Sequence, residues 1–96
     1  MSLVSIIMPF YKKEPYIEDS IKSILSQSYQ NFEIILINDD VDNQDFIKKI
    51  SKLDARIILI QNIKNLGAGL SRNKGIEVAN GKFIAFCDCD DLWKKN

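Results

Sequence analysis

The chain has 96 residues, 46% of them hydrophobic and 27% charged, and its thirteen Lys and Arg balance thirteen Asp and Glu. That length holds one domain or less, and ordinary globular usage excludes a disordered, fibrous or low-complexity chain. Zero net charge speaks against nucleic acid as a partner and against an anionic membrane gripped by bulk electrostatics. The absence of histidine removes His-ligated zinc, Ser–His–Asp triads and Cys–His pairs from the available chemistry.

In chain order, Val4-Ser5-Ile6-Ile7-Met8 is a short β-branched run that Pro9 is expected to end, a strand signal. Residues 15–29 carry Ile17, Ile21, Ile24 and Leu25 on one helical face, with Pro15 suited to a first turn and Glu18 and Asp19 near the positive end of the dipole. Residues 32–37 are nearly all apolar, as in a strand covered on both faces. A second helix is predicted over 42–53 from the stripe of Phe46, Ile47, Ile50 and Leu53, and a third strand over 56–60. Residues 66–80 read as a helix by Leu70, Ile76 and Ala79, with Gly81 as its left-handed stop, although Gly67, Gly69 and Gly75 weaken the pattern. A fourth strand covers 82–87.

The order β-α-β-α-β-α-β implies an α/β fold: a mainly parallel sheet of four strands in order 3-2-1-4 with helices on both faces. In such sheets ligands sit beyond the carboxyl ends of the strands, where the order reverses. There Pro9, Phe10 and Tyr11 would meet Asn38-Asp39-Asp40 and Asp88-Cys89-Asp90-Asp91. Asp88 and Asp90 form a D-x-D whose hard oxygens suit Mg²⁺ or Mn²⁺ bridging to phosphate, but the same spacing serves a solvated loop or a helix cap. Asp39 and Asp40 suit either a base or ribose, or turn and capping chemistry. Arg72 suits either a diphosphate clamp or a solvated helix face. Cys87 and Cys89 are too close in sequence for a relaxed disulfide, and Cys87 reads as a small buried residue. Trp93 suits stacking on a ligand or anchoring in the core. No stretch reads as a signal peptide or membrane span, so a cytoplasmic setting is expected.

These residues together resemble the inverting family-2 glycosyltransferases of the GT-A fold. The resemblance is carried by residues 4–11, by 21–29, by Phe32-Glu33-Ile34-Ile35-Leu36-Ile37-Asn38-Asp39, by Asn65-Leu66-Gly67, by Ser71-Arg72-Asn73-Lys74-Gly75-Ile76 and by 83–93. It covers essentially the whole chain. It implies a Rossmann-like, three-layer half of a GT-A fold that binds a nucleotide-sugar donor, a UDP-sugar above all, with Mn²⁺ or Mg²⁺ as cofactor. By position, Pro9, Phe10 and Tyr11 would line the nucleoside pocket, Glu14 its rim, Asp39 the base, and Arg72 the base and diphosphate. Asp88 would meet ribose or sugar, and Asp88 and Asp90 the metal. The acceptor, a glycan or a lipid-linked sugar, would be met at the inner face of the membrane.

Two departures matter. Asp40-Val41 stands where the family commonly has Gly-Ser, and the carboxylate that deprotonates the acceptor is expected beyond Asn96. Residues 1–96 are therefore expected to be the donor-binding part of a longer enzyme, inactive alone, with the 82–87 edge self-associating. The rival reading is a non-catalytic α/β module that binds a nucleotide or a partner; metal-strengthened nucleotide binding through Asp90 separates the two.

Overall fold

The computed structural model describes residues 2–90. The four apolar runs become β1 (Val4–Phe10), β2 (Phe32–Asn38), β3 (Ile57–Gln61) and β4 (Phe83–Phe86). All pair in parallel, in the order β3-β2-β1-β4. The register sets Phe10 beside Asn38, and Asn38 beside Gln61, so the exits of three strands lie level.

Alternation along the strands sorts the two faces. Ile6, Met8 and Phe10 of β1 and Phe32, Ile34 and Leu36 of β2 pack under α1 (Glu14–Leu25) and α2 (Gln44–Ile50), with Ile17, Ile21, Ile24, Ile47 and Ile50. Ile7, Ile35 and Ile37 face the other way, toward α3 (Ala68–Val78). Each such buried isoleucine contributes roughly 1.5–3 kcal/mol by leaving water.

Several boundaries differ from those expected, each for a local reason. Pro9 does not end β1. Its missing N–H falls on the side where β4 has already stopped: Ile7 still accepts from Cys87 N at 3.0 Å, while the Pro9 carbonyl accepts from Cys89 Sγ at 3.1 Å. α1 stops at Leu25, where glutamine side chains take over its last carbonyls: Gln27 Nε2 donates to Ser23 O at 3.2 Å and Gln30 Nε2 to Leu25 O at 3.1 Å. The helix expected over 42–53 is α2 alone, flanked by 3-10 turns at Val41–Asn43 and Ser51–Leu53, the first capped by the Asp40 carboxylate. Arg56 is not a strand residue. Its guanidinium grips Asp54, with Nε 2.9 Å from Oδ1, and lies over the Phe32 ring.

The largest correction concerns α3. Leu70 and Ile76 mark a helix, but they are exposed. The face turned to the sheet is made of small residues, Ser71 and Gly75. A Cβ on Gly75 would lie 2.7 Å from Ile7 Cγ2 and 2.9 Å from Ile37 Cδ1, so the helix rests on the sheet at glycine distance. Nor does Gly81 stop α3 in the left-handed conformation. Among the glycines only Gly67 has positive φ, 87°. Gly81 is instead pressed against β1: a Cβ there would lie 2.6 Å from Ser5 N and 2.9 Å from Leu3 O.

β4 is an edge strand with Phe83 and Phe86 more than half exposed, as the sequence led one to expect of the 82–87 segment.

Candidate functional site

The level strand exits open into a cleft of about 540 Å³ at the carboxyl edge of the sheet. β1 supplies Pro9 and Phe10 and leads into Tyr11 and Lys13; β2 leads into Asp39. The loop before α3 supplies Asn65 and Gly67, α3 itself supplies Ala68 and Arg72, and the turn after β4 supplies Asp88, Cys89 and Asp90. Pro9, Phe10, Tyr11, Asp39, Arg72, Asp88 and Asp90 thus converge on the cleft, whereas Glu14 opens α1 as an exposed residue and does not line it. Asp40 does not line it either: it is buried, and its carboxylate caps the turn at Val41–Asn43, the capping alternative. Asp91 and Trp93 lie outside the described residues.

Asp39 is 2% exposed and accepts four hydrogen bonds. Oδ1 takes Asn62 Nδ2 at 2.8 Å and the Leu66 amide at 2.7 Å; Oδ2 takes Asn65 Nδ2 at 2.8 Å and the Gly67 amide at 2.9 Å. A carboxylate offers about four acceptor directions, so this one is saturated by the protein. Its work in this structure is to pull the 62–67 loop onto the end of β2 and to fix the start of α3. Asn62, fully buried, extends the network: its Nδ2 also meets Ser71 Oγ at 3.1 Å, and its Oδ1 accepts from Lys74 Nζ at 3.0 Å. Gly67, at positive φ, permits the turn that aims two successive amides at one side chain.

Asp88 and Asp90 behave oppositely. Both are exposed to the cleft, and each faces one cation from a different element. Arg72 Nη2 of α3 lies 3.6 Å from Asp88 Oδ1, and Lys13 Nζ lies 3.4 Å from Asp90 Oδ2. Between them Cys89 points inward, packed in the core under α1, with its carbonyl accepting from Ser20 Oγ at 2.6 Å. That alternation is why the two carboxylates emerge together. Burial above all, with the neighbouring Cys87 and the flanking aspartates, pushes the Cys89 thiol well above its usual range. Its Sγ donates to the Pro9 carbonyl at 3.1 Å.

The donor set suits a hard divalent cation: two carboxylates open to one cleft. No group of three or more His, Cys, Asp or Glu converges among the described residues. A cation held by Asp88 and Asp90 would complete its shell with water and phosphate oxygens, which is how Mg²⁺ and Mn²⁺ are commonly held beside phosphates.

Sequence reasoning missed Lys13, Asn62 and Asn65. The signal was available for two of them. Lys13 follows β1 and Asn62 follows β3, so both are polar residues at strand exits, the criterion that found Asp39 and Asp88. Asn65 stands in the Asn65-Leu66-Gly67 segment that carries the resemblance, but its hydrogen bonds to Asp39 are visible only in the folded loop.

Residues 5–96 match the model of glycosyl transferase family 2. Among curated proteins, the chain is 44% identical over 94 residues to the Escherichia coli UDP-Glc:alpha-D-GlcNAc-diphosphoundecaprenol beta-1,3-glucosyltransferase WfgD, covering 98% of this chain and 37% of that one. Among solved structures, S. aureus TarS in complex with UDP-GlcNAc superposes with a TM-score of 0.82 at 29% identity, over 93% of this chain and 27% of that one. The Pyrobaculum calidifontis mannosyltransferase PcManGT, in complex with GDP-Man and Mn²⁺, has the same fold, with a TM-score of 0.84 at 22% identity over 96% of this chain and 28% of that one. The chain spans roughly a third of the length of the curated relatives it matches, between 32% and 38% for the first three.

Proposed function

The chain belongs to glycosyl transferase family 2, with the GT-A type of sheet, and from that premise we propose that it forms the donor-binding half of a metal-dependent, inverting sugar transferase that uses a UDP-sugar. The observation that carries the reading is the cleft itself. One apolar wall, two exposed carboxylates and two cations meet at the carboxyl edge of a parallel sheet where its strand order reverses. The complexes of TarS with UDP and with UDP-GlcNAc support uridine as the nucleoside.

In this reading Pro9, Phe10 and Tyr11 pack against the nucleoside. Asp39 acts on the base side by holding Asn65, Leu66 and Gly67 in place, and Arg72 faces the diphosphate. Asp88 and Asp90 hold the divalent cation; when bound, it neutralises the charge that builds on the departing diphosphate. The acceptor oxygen attacks the anomeric carbon from the face opposite the leaving group. Its bond forms as the carbon–phosphate-oxygen bond breaks, and UDP leaves. The hydroxyl proton must go to a base. With Asp39 saturated and Asp88 and Asp90 given to the metal, no carboxylate among the described cleft residues is left for it, and that step is assigned to a group outside them. The name of the E. coli relative supports a lipid-linked acceptor, and we propose that it is met at the inner face of the membrane. No helix among the described residues is long and apolar enough to cross one.

The test is a calorimetric titration of UDP into the chain with and without Mn²⁺, beside Asp90→Ala, with circular dichroism to show that both are folded. Metal-dependent binding that disappears in Asp90→Ala is expected. A folded chain that ignores UDP and other sugar nucleotides in saturating Mn²⁺ would sink the donor-site reading.

A further inference from the structure

We propose that Lys13 is a built-in cation of this site that couples metal binding to nucleotide binding. It competes with the metal for Asp90, and once displaced it turns to the diphosphate. This rests on the donor-site reading given above.

Lys13 is placed for the task by its backbone. Its carbonyl accepts from Tyr16 N at 3.0 Å and Ile17 N at 3.1 Å, so it is fixed to the first turn of α1. Just before it, Lys12 takes φ 52°, the one non-glycine residue in the left-handed region among those described, and this reverses the chain out of β1. The opposite partner is mounted on the same helix, because Ser20 Oγ holds the Cys89 carbonyl beside Asp90. Loop and turn are therefore held in one frame, and the Lys13–Asp90 contact is set by α1 rather than by chance meeting of two free side chains.

The contact itself is exchangeable. At 3.4 Å, with both side chains more than 40% exposed, it is a weak ion pair that a divalent cation at Asp90 can replace. Charge balance says where the ammonium goes next. Lys13 and Arg72 just offset Asp88 and Asp90 across their two ion pairs. A diphosphate beside them adds further negative charge that no other cation among the described cleft residues offsets. A metal on the two aspartates frees both cations, and a lysine on a flexible four-carbon stem binds phosphate as a point charge. Metal and nucleotide then favour each other's binding, and by linkage the coupling is reciprocal.

The distinguishing feature is a pair of effects of opposite sign. Mn²⁺ alone and UDP in saturating Mn²⁺ are titrated calorimetrically into the wild-type chain, Lys13→Ala, Lys13→Met and Lys13→Arg, each checked by circular dichroism. Removing the charge is expected to tighten Mn²⁺ alone by about threefold to tenfold and to weaken UDP by about the same factor. Lys13→Met keeps the apolar stem and should match Lys13→Ala; Lys13→Arg should stay within about twofold of wild type for both ligands. A variant that binds both ligands more weakly reveals mere damage to the loop and overturns the proposal, as does one that binds both unchanged. Wild type binding UDP with no effect in the variants sinks only the role of Lys13. Wild type failing to bind UDP in Mn²⁺ sinks the donor site and this proposal with it.

Discussion

The two ends of the sheet treat their carboxylates differently. β2 has one buried acid at each end on the face turned to α3: Glu33 within the strand at the amino edge and Asp39 just past it at the carboxyl edge. Each ties down one end of α3. Glu33 accepts from Asn80 N at 2.7 Å, just past the helix, and from Ser5 Oγ at 2.6 Å; Asp39 accepts the amides of Leu66 and Gly67, just before it. At the amino edge the structure then closes, with Gly81 N donating to Ser5 Oγ at 2.8 Å and no room for a Cβ. At the carboxyl edge it opens into the cleft, and a second acidic pair, Asp88 and Asp90, is left exposed with one cation each. The lesson is that acids in one small fold divide by satisfaction. Those with full hydrogen-bond shells hold the scaffold; those with a single exchangeable partner are free for a ligand.

The strongest way to break this contrast is Asp39→Ala. It strands two asparagine side chains and two backbone amides in or near the interior. A loss of roughly 3 kcal/mol or more is expected from urea unfolding. A loss under about 1 kcal/mol would mean that the network is not structural. Gly81→Ala should follow, because its new methyl meets backbone rather than a movable side chain; a cost of about 2–3 kcal/mol is expected in the same assay. Asp90→Ala should by contrast leave stability within about 0.5 kcal/mol of wild type, since its ion pair is exposed. A large loss there would move Asp90 to the structural side.

Acid sharpens the comparison at the amino edge. Burial alone would raise the pKa of Glu33, but hydrogen bonds from Ser5 and Asn80 outweigh it and hold the carboxyl below its ordinary 4.5. A depressed carboxyl pKa in the folded state stabilises the fold above the unfolded pKa, and that contribution is lost as pH falls through the folded value. The stability gap between wild type and Glu33→Gln should therefore be constant near neutrality and shrink below pH 4.5. A gap that does not change with pH would show that the charge of Glu33 is irrelevant. The lateral edge gives the smallest effect. Exposed Phe83, Ile84 and Phe86 on edge strand β4 should produce weak self-association in light scattering at high concentration, reduced by Phe86→Lys; a clean monomer would count against it.

Much of this was legible without coordinates. Runs of β-branched residues and the Ile17–Ile21–Ile24 spacing determine strands and a helix locally, and the βα alternation then determines a parallel 3-2-1-4 sheet, because crossovers leave few other ways to bury those runs. The site followed in part from the same logic, since polar residues at strand exits must gather at one edge. Chain-local pattern does not reveal which small residues mark a contact, so α3 was expected to bury Leu70 and Ile76 and instead buries Ser71 and Gly75. It does not reveal the partners of a carboxylate either. Asp39, Asp88 and Asp90 look alike in sequence, and only the fold decides that four donors from the 62–67 loop reach the first, while one cation each reaches the others. The physical reason is that periodicity reports burial summed along one element, whereas close approach and hydrogen-bond saturation depend on atoms contributed by elements far apart in the chain.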